Sequence, residues 1–245
     1  MTSGTGQIKT VGRDFLAGIN WQAVADQLHE KGYSHLLRIL PFEKCDDFIA
    51  SYDRPGIYRK TVTMERHRFG LGEYKYFANP LPEAIQAVRE QVYPNLAPIA
   101  NTWAERLRLD TRFPVSFGEL QKLCHEKGQT KPTPLILKYG IGGFNTLHQD
   151  LYGEVYFPMQ LAFFLNEPGE DYTGGEFVLT EQVPRAQSKA IVLTPKKADM
   201  IIFTTSFRPV KGTRGYYRTA MRHGVSEVRS GTRHTLGVIF HDAMS

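Results

Sequence analysis

The sequence predicts an α+β fold, in which a helical N-terminal region supports an antiparallel β-sandwich or jelly roll. Two observations support this fold class. Apolar residues recur at helical spacing in the first half of the chain, whereas from about residue 114 the period changes to two. The strand-like segments are short, and Gly and Pro turns separate them without intervening helices. Such closely spaced strands favour antiparallel pairing over a parallel α/β sheet.

Three helices are predicted before the strands, at residues 20–33, 41–53 and 81–109. Asn20 is a favoured N-cap residue and Gly32 a favoured terminator, so they bound the first helix. The third pattern is expected to break near Pro94, because proline has no amide hydrogen to donate within a helix. Between the second and third helices, residues 57–77 predict an extended hairpin or flap.

Seven strands are predicted in the second half, at residues 134–141, 159–166, 175–181, 190–195, 199–205, 217–228 and 233–242. A chain of 245 residues fits a single large domain. We therefore expect one domain over 1–245, divided into a flexible tail at 1–13, a helical region with the flap at 14–112, and a β core at 113–245.

Composition narrows the function classes. The chain has a formal charge of +5, which is mildly basic and alone is weak evidence for a polyanionic partner. Its two cysteines, Cys45 and Cys124, have no CxxC spacing, so we expect both to be buried thiols in a reducing cytoplasm. No window has 18 consecutive apolar residues, so no membrane association is expected. A monomer is consistent with the sequence, which does not fix the oligomeric state.

His148 and Asp150 are separated by one residue in a segment with strand character. Residues two apart on a strand point to the same face, so their side chains converge. A second histidine would complete the two-histidine, one-carboxylate ligand set of non-haem Fe(II) oxygenases, which leaves open positions on the metal. The pair alone is a weak signal, because an HxD sequence is also typical of a hydrogen-bonded pair at a strand end.

Three downstream histidines could supply the third ligand. We favour His223, because Arg233 follows ten residues later at the start of an apolar strand and could grip a carboxylate of a bound keto acid. A surface position for Arg233 is the alternative. His234 alternates to the face opposite Arg233, and His241 lies near the C-terminus, so both are weaker candidates. Tyr156, Gln160 and Phe163 could line the interior near the metal, although such alternation is more typical of ordinary core.

Several ordered motifs resemble the signature of the 2-oxoglutarate/Fe(II)-dependent dioxygenase superfamily, which includes prolyl hydroxylases and AlkB-type repair enzymes. The segments that carry the resemblance are HQD at 148–150, YTGGEFVL at 172–179, KADMIIFTT at 197–205 and RHGVSEVRSGTRHTLGVIFHD at 222–242. The resemblance covers roughly residues 130–242. It implies a double-stranded β-helix core that uses Fe(II), 2-oxoglutarate and O2.

The same resemblance assigns roles to individual residues. It implies His148, Asp150 and His223 as the iron ligands and catalytic centre. Arg233 matches the basic residue that anchors 2-oxoglutarate, and Thr235 resembles its hydroxyl partner. Tyr139, nine residues before His148, resembles the 2-oxoglutarate-binding tyrosine of AlkB-type members.

The motifs point to two substrate classes. Leu137 stands where AlkB-type members have an asparagine, and the ten-residue spacing from His223 to Arg233 follows the prolyl hydroxylases. The whole chain also resembles a bacterial group of oxygenases associated with oxidative repair of alkylated DNA. We therefore expect dealkylation of damaged nucleobases in DNA, with hydroxylation of a protein or amino-acid (prolyl-type) substrate as the alternative.

Basic residues interleaved with aromatic residues favour contact with a phosphate backbone and stackable bases. Residues 58–77 have this composition, and residues 206–233 contain seven basic residues against a single acid. A solvated β-hairpin with alternating faces is the other interpretation. The candidate nucleic-acid contacts are Arg66, Arg68, Tyr74, Tyr76, Arg214 and Tyr216.

Overall fold

The computed structural model describes residues 15–245, so the tail expected at 1–13 lies outside the described residues. Four α-helices are present in that part of the chain. They are α1 (Trp21–Lys31), α2 (Phe42–Ser51), α3 (Glu83–Arg106) and α4 (Phe117–Glu126). A 3-10 turn occupies Met64–His67. None of these helices is long and apolar enough to cross a membrane.

The described residues form fifteen strands, all paired in antiparallel fashion. They are β1 (Tyr33–Leu36), β2 (Tyr58–Thr63), β3 (Gly70–Leu71), β4 (Glu73–Phe77), β5 (Leu135–Tyr139), β6 (Phe144–His148), β7 (Met159–Phe164), β8 (Tyr172–Gly174), β9 (Phe177–Gln182), β10 (Lys189–Leu193), β11 (Met200–Thr204), β12 (Phe207–Gly212), β13 (Gly215–Val225), β14 (Val228–Gly231) and β15 (Arg233–Ile239).

The strands build two main sheets. The larger sheet has the order β1-β11-β7-β15-β5-β4-β2, and the smaller has the order β10-β9-β13-β6-β3 with β12 also paired to β13. Strands β8 and β14 form a separate pair. The predicted α+β fold with a double-stranded β-helix core is confirmed. Strand β4 pairs with both β2 and β5, so the hairpin expected at 57–77 extends the larger sheet.

Alternation along β15 separates the two faces of the larger sheet. Leu236 and Val238 belong to the main core, which packs the sheet against the helices. Thr235, Gly237 and Ile239 line a cavity between the two sheets. The same strand therefore supports the helical layer with one set of side chains and builds the cavity with the other.

The break expected near Pro94 is wrong, because α3 continues through both Pro94 and Pro98. Twelve of the 24 residues of this helix are buried, including Tyr93, Leu96 and Trp103. Each internal proline costs a helix about 3 kcal/mol, whereas burying one large apolar side chain contributes about 1.5–3 kcal/mol. Tertiary packing along the helix thus outweighs the local preference for a break.

The strand region expected from about residue 114 begins later in the chain, at β5. Residues Phe117–Glu126 form α4, and their N-terminus is a capping box in which the Ser116 side chain accepts from the Glu119 amide. The Glu119 carboxylate in turn accepts from the Ser116 amide. The paired hydrogen bonds satisfy helix-end amides and stabilise α4 locally.

The C-terminal segment is held by a buried ion pair. The Arg89 side chain on α3 is fully buried, and its Nη2 lies 2.7 Å from the Asp242 carboxylate. His241, expected near a frayed end, is instead buried, and its Nδ1 accepts a hydrogen bond from the Phe157 amide. Burial lowers the pKa of His241 to about 4. Removal of either ion-pair partner would leave an uncompensated buried charge.

We predict that His241 makes the protein less stable in mild acid. Its folded-state pKa of about 4 lies below the ordinary value of 6.5, so the unfolded state binds more protons between these values. The part of the free energy of unfolding that depends on neutral His241 is fully present above about pH 6.5 and is lost by about pH 4. It amounts to about 3 kcal/mol. Urea unfolding of the wild type and His241→Asn across this range should show a smaller pH dependence in the variant. His67→Asn, at an exposed histidine, is the control, and equal pH dependence in wild type and His241→Asn would contradict the prediction.

Candidate active site

His148, Asp150 and His223 come together between the two sheets. Strands β6 and β13 are neighbours, and His148 lies directly opposite His223 in their register. Their ring centroids are 4.1 Å apart. Asp150 lies after the end of β6, so the expectation that both members of the HxD pair occupy one strand is wrong. One ligand atom from each of the three residues lies within 4.8 Å of the others.

Hydrogen bonds orient the first ligand. The Nδ1–H of His148 donates to the Thr146 carbonyl at 2.8 Å, because a carbonyl can only accept. This fixes the tautomer and leaves Nε2 facing Asp150, 3.5 Å from its Oδ1. The Nε2 of His223 lies 3.3 Å from Asp150 Oδ2. Two imidazole nitrogens and one carboxylate therefore converge on one point.

Asp150 is held by two neutral donors. The Tyr152 hydroxyl donates to Oδ1 at 2.7 Å, and Gln160 Nε2 donates to Oδ2 at 2.8 Å. Gln160 Nε2 also lies 3.3 Å from His223 Nε2. The sequence singled out Gln160 as an interior candidate without a role, and Tyr152 was missed. These contacts depend on where β7 and the loop after β6 place two distant side chains.

The three groups perturb one another. Burial acts to raise the pKa of Asp150, but hydrogen bonding and attraction to His148 and His223 outweigh it and hold that pKa well below its ordinary value. Burial also disfavours protonated His148, yet its contact with Asp150 prevails and raises the pKa of His148. Burial and repulsion from His148 lower the pKa of His223. The carboxylate thus stays ionised, as a metal ligand must be.

The donor set fits a divalent transition metal with open coordination positions. Two histidine nitrogens and one carboxylate oxygen are the facial ligand set of non-haem Fe(II) oxygenases. Carboxylate sites without imidazole would instead suit Mg²⁺ or Ca²⁺. The open positions would be available to a second bidentate ligand and to O2, so the predicted Fe(II) site fits the residues present.

A cavity of about 220 Å³ adjoins the triad. His148, Asp150 and His223 line it together with Arg233, Thr235 and Tyr139. Apolar and aromatic residues complete its wall, among them Met64, Phe69, Leu137, Phe177 and Phe203. The six residues that the sequence assigned to iron and 2-oxoglutarate therefore share one enclosed space.

Arg233 is buried in this cavity with part of its guanidinium unpaired. Its Nη1 donates to the Thr235 hydroxyl at 2.7 Å, whereas Nε and Nη2 have no hydrogen-bond partner among the described residues. The Tyr139 hydroxyl is also buried without a partner. Burial raises the pKa of Tyr139 to about 12, so its hydroxyl remains a donor at neutral pH. These orphaned donors fit a carboxylate, and the alternative of a surface position for Arg233 is wrong.

The two glycines of the YTGGEFVL segment leave room for this arrangement. Both have left-handed backbone conformations, with φ of 71° at Gly174 and 62° at Gly175. A Cβ at Gly175 would lie 2.9 Å from Arg233 Cδ, and one at Gly174 would lie 2.2 Å from the Glu227 carbonyl oxygen. A side chain at Gly175 would therefore displace the arginine stem.

The six predicted nucleic-acid contacts occupy three places. Tyr74 and Tyr76 line the cavity, and Tyr76 is buried with the Arg59 guanidinium over its ring, so it is not free to stack on a base from outside. Arg66 and Arg68 are exposed on and beside the 3-10 turn.

Arg214 and Tyr216 are exposed near the start of β13. Seven residues of extended strand place Tyr216 roughly 20 Å from His223, and its ring contacts Arg106 on α3. The structure therefore does not bring Arg214 or Tyr216 to the cavity.

The chain is similar to proteins of one enzyme class. Residues 72–243 match the model of a family described as "Oxygenase, catalysing oxidative methylation of damaged DNA". An uncharacterized protein of Mycobacterium tuberculosis is 46% identical over 190 residues, which cover 76% of this chain and 81% of that protein.

Solved structures share the fold at low identity. An oxidoreductase of the 2OG-Fe(II) oxygenase family from Burkholderia pseudomallei aligns with a TM-score of 0.53 and 14% identity, over 92% of this chain and 93% of that one. A prolyl-4-hydroxylase of Pseudomonas putida aligns with a TM-score of 0.51 and 15% identity, over 89% and 96%.

These findings confirm the oxygenase superfamily expected from the motifs. The family match spans more than half of the chain and includes all three triad residues, Tyr139, Arg233 and Thr235. The chain therefore belongs to the oxygenase family described as catalysing oxidative methylation of damaged DNA.

Proposed function

We propose that the protein is an Fe(II)- and 2-oxoglutarate-dependent dioxygenase that removes alkyl groups oxidatively from damaged nucleobases in DNA. One observation carries the enzyme class. A two-histidine, one-carboxylate triad and an arginine with unpaired buried nitrogens line the same cavity of about 220 Å³. The family description, which names damaged DNA, supports the substrate class.

One set of cavity residues would bind the metal and another would bind 2-oxoglutarate. His148, Asp150 and His223 would hold the metal, while Tyr152 and Gln160 keep the Asp150 carboxylate in place. Arg233, Thr235 and Tyr139 would bind the far carboxylate of 2-oxoglutarate, since Arg233 Nε and Nη2 and the Tyr139 hydroxyl need an acceptor. When bound, iron and 2-oxoglutarate supply oxidation by O2, with 2-oxoglutarate converted to succinate and CO2.

The aromatic part of the cavity wall would receive a planar base. Phe203 contacts His223, with ring centroids 4.9 Å apart, and Phe177 and Tyr74 complete the lining. A low-polarity wall strengthens hydrogen bonds and ion pairs within the cavity. Hydroxylation of an N-methyl group yields a hemiaminal that releases formaldehyde, so oxygen insertion on this substrate amounts to demethylation.

Hydroxylation of a prolyl-type substrate is the second candidate. The ten-residue spacing from His223 to Arg233 and the Gly-Gly-Glu segment at 174–176 favour it. The fold is shared with prolyl hydroxylases, and at 15% identity that likeness shows the fold alone. The basic charge and the family description favour DNA over this alternative.

We predict that metal and 2-oxoglutarate binding can be separated by mutation. His223→Ala should abolish Fe(II) binding, because it removes one of three ligands. Arg233→Gln should retain Fe(II) but weaken 2-oxoglutarate binding about 10- to 100-fold, since a hydrogen bond to a charged group contributes about 1.5–3 kcal/mol. Anaerobic titration calorimetry measures both affinities.

Arg229→Gln, which makes the same chemical change at an exposed position, is the matched control and should match wild type. If Arg233→Gln bound 2-oxoglutarate as tightly as wild type, the assignment of the anchor would be wrong. If His223→Ala kept full Fe(II) affinity, the assignment of the triad would be wrong.

We also predict that methylated single-stranded DNA stimulates turnover. Succinate and formaldehyde should form together when the Fe(II)-loaded enzyme receives 2-oxoglutarate, O2 and the methylated oligonucleotide, and His148→Ala should form neither. Unmethylated DNA of the same sequence and a proline-rich peptide are the comparison substrates. Stimulation by the peptide alone, without formaldehyde, would replace the proposed activity by prolyl-type hydroxylation.

A further inference from the structure

A second, open groove of about 700 Å³ lies beside the active-site cavity. Four segments line it, at residues 149–156, 182–185, 206–207 and 218–220. They belong to the loop after β6, the end of β9 with the turn that follows it, the start of β12, and β13. The proposed function does not use this groove.

The groove crosses β13 at Ala220, an exposed residue with a small side chain. Side chains alternate along this strand: Thr219, Met221 and His223 are buried, whereas the residues between them are exposed. Ala220 pairs with Gln182 on one side and with Phe207 on the other, and all three line the groove. The small Ala220 side chain therefore forms the floor between two raised walls.

Cations surround this floor. Arg218 and Arg222 lie two residues before and after Ala220 on the same exposed face, so their Cα atoms are about 13 Å apart. Arg185 is exposed on the opposite wall, and its backbone has a left-handed φ of 65°. The Arg218 side chain is exposed, and its guanidinium carbon lies 4.8 Å from the centre of the Phe207 ring.

The acidic side chains in and near the groove pair with other cations and not with the groove arginines. Among the described residues that line the groove, Glu154 is the one acid, and its carboxylate lies 2.7 Å from Lys127 Nζ. Glu181 of β9 pairs instead with Arg208, at 2.7 Å. The groove therefore presents arginines with aromatic neighbours, Phe207 and Tyr156, a composition that suits a single nucleic-acid strand.

One residue joins the groove to the active site. Gln149 directly follows His148, lines both spaces, and is fixed by hydrogen bonds from its Nε2 to the carbonyls of Ser206 and Met221, at 2.7 and 2.8 Å. The groove opens on the solvent face of β13, whereas His223 on the same strand faces the cavity, so the two spaces lie on opposite sides of this strand and share Gln149. A strand whose base enters the cavity would pass Gln149 to reach the groove.

We propose that this groove binds the sugar-phosphate backbone of nucleotides that flank the damaged base, with Arg185 and Arg218 as the phosphate contacts and Arg222 extending the basic surface along β13. The inference rests on the proposed function, because it names where that substrate's strand lies. Phosphate contacts of this kind give affinity without sequence preference, as suits an enzyme that must find lesions in any sequence.

The test measures binding without turnover. The metal-free protein is titrated into a labelled single-stranded oligothymidylate, and fluorescence anisotropy gives the affinity at each of several salt concentrations. Arg185→Gln/Arg218→Gln should weaken binding about tenfold and reduce the salt slope by about 1.4, which is the change expected for two phosphate contacts on a single strand. Ala220→Phe fills the floor without changing charge and should also weaken binding.

Arg112→Gln/Lys122→Gln, which removes two exposed cations beside and on α4, is the matched control and should bind like wild type. Circular dichroism establishes that every variant is folded. If both groove variants bind oligothymidylate with the affinity and salt slope of the control, the proposed groove is wrong. Failure of wild type to bind oligothymidylate would also overturn it.

Turnover separates this inference from the proposed function. With methylated single-stranded DNA, Arg185→Gln/Arg218→Gln should raise KM more than it lowers kcat. If wild type releases formaldehyde from methylated DNA but the groove variants keep its KM, the groove is refuted and the function stands. If the groove binds oligothymidylate in an arginine-dependent manner but no methylated DNA is oxidised, the groove stands and the proposed lesion chemistry fails.

Discussion

The active site depends on a buried positive charge that the chain does not fully satisfy. Arg233 is 1% exposed, its Nη1 donates to the Thr235 hydroxyl, and its Nε and Nη2 have no hydrogen-bond partner among the described residues. A buried charge with unpaired donors costs several kcal/mol, so we propose that an anion from outside the chain completes the contacts of this guanidinium. Aromatic rings surround it at 5.5–5.9 Å between the guanidinium carbon and the ring centres. The carboxylate of 2-oxoglutarate is the anion that we propose for this position.

Strand alternation places the buried charge and the triad on the cavity face of their strands, and the arginines of the proposed DNA groove on the opposite face. On β15, Arg233 and Thr235 face the cavity while Leu236 and Val238 hold the sheet to the helices. On β13, His223 faces the cavity while Arg218 and Arg222 face solvent. Because each strand contributes to both faces, the packing of the helical layer and the geometry of the site are coupled.

The site residues were predicted from the sequence more accurately than the bounds of the helices were. His148, Asp150, His223 and Arg233 were singled out because the order of their motifs resembles the dioxygenase signature, and the structure brings all four to one cavity. Gln160 and Tyr152 could not be assigned roles, since their hydrogen bonds to Asp150 join segments whose relative placement only the fold determines. The helix α4 carried a readable signal in the Ser116–Glu119 capping box, whereas the continuity of α3 through Pro94 depends on burial that no local pattern shows.

A crystal structure of the protein with Mn²⁺ in place of Fe(II), grown anaerobically with 2-oxoglutarate, tests the central claim most directly. The account predicts metal bound by His148, Asp150 and His223, and a 2-oxoglutarate carboxylate paired with Arg233 and within hydrogen-bond distance of the Tyr139 hydroxyl. An Arg233 guanidinium that is satisfied by protein groups, with 2-oxoglutarate absent from the cavity or bound elsewhere, would contradict it.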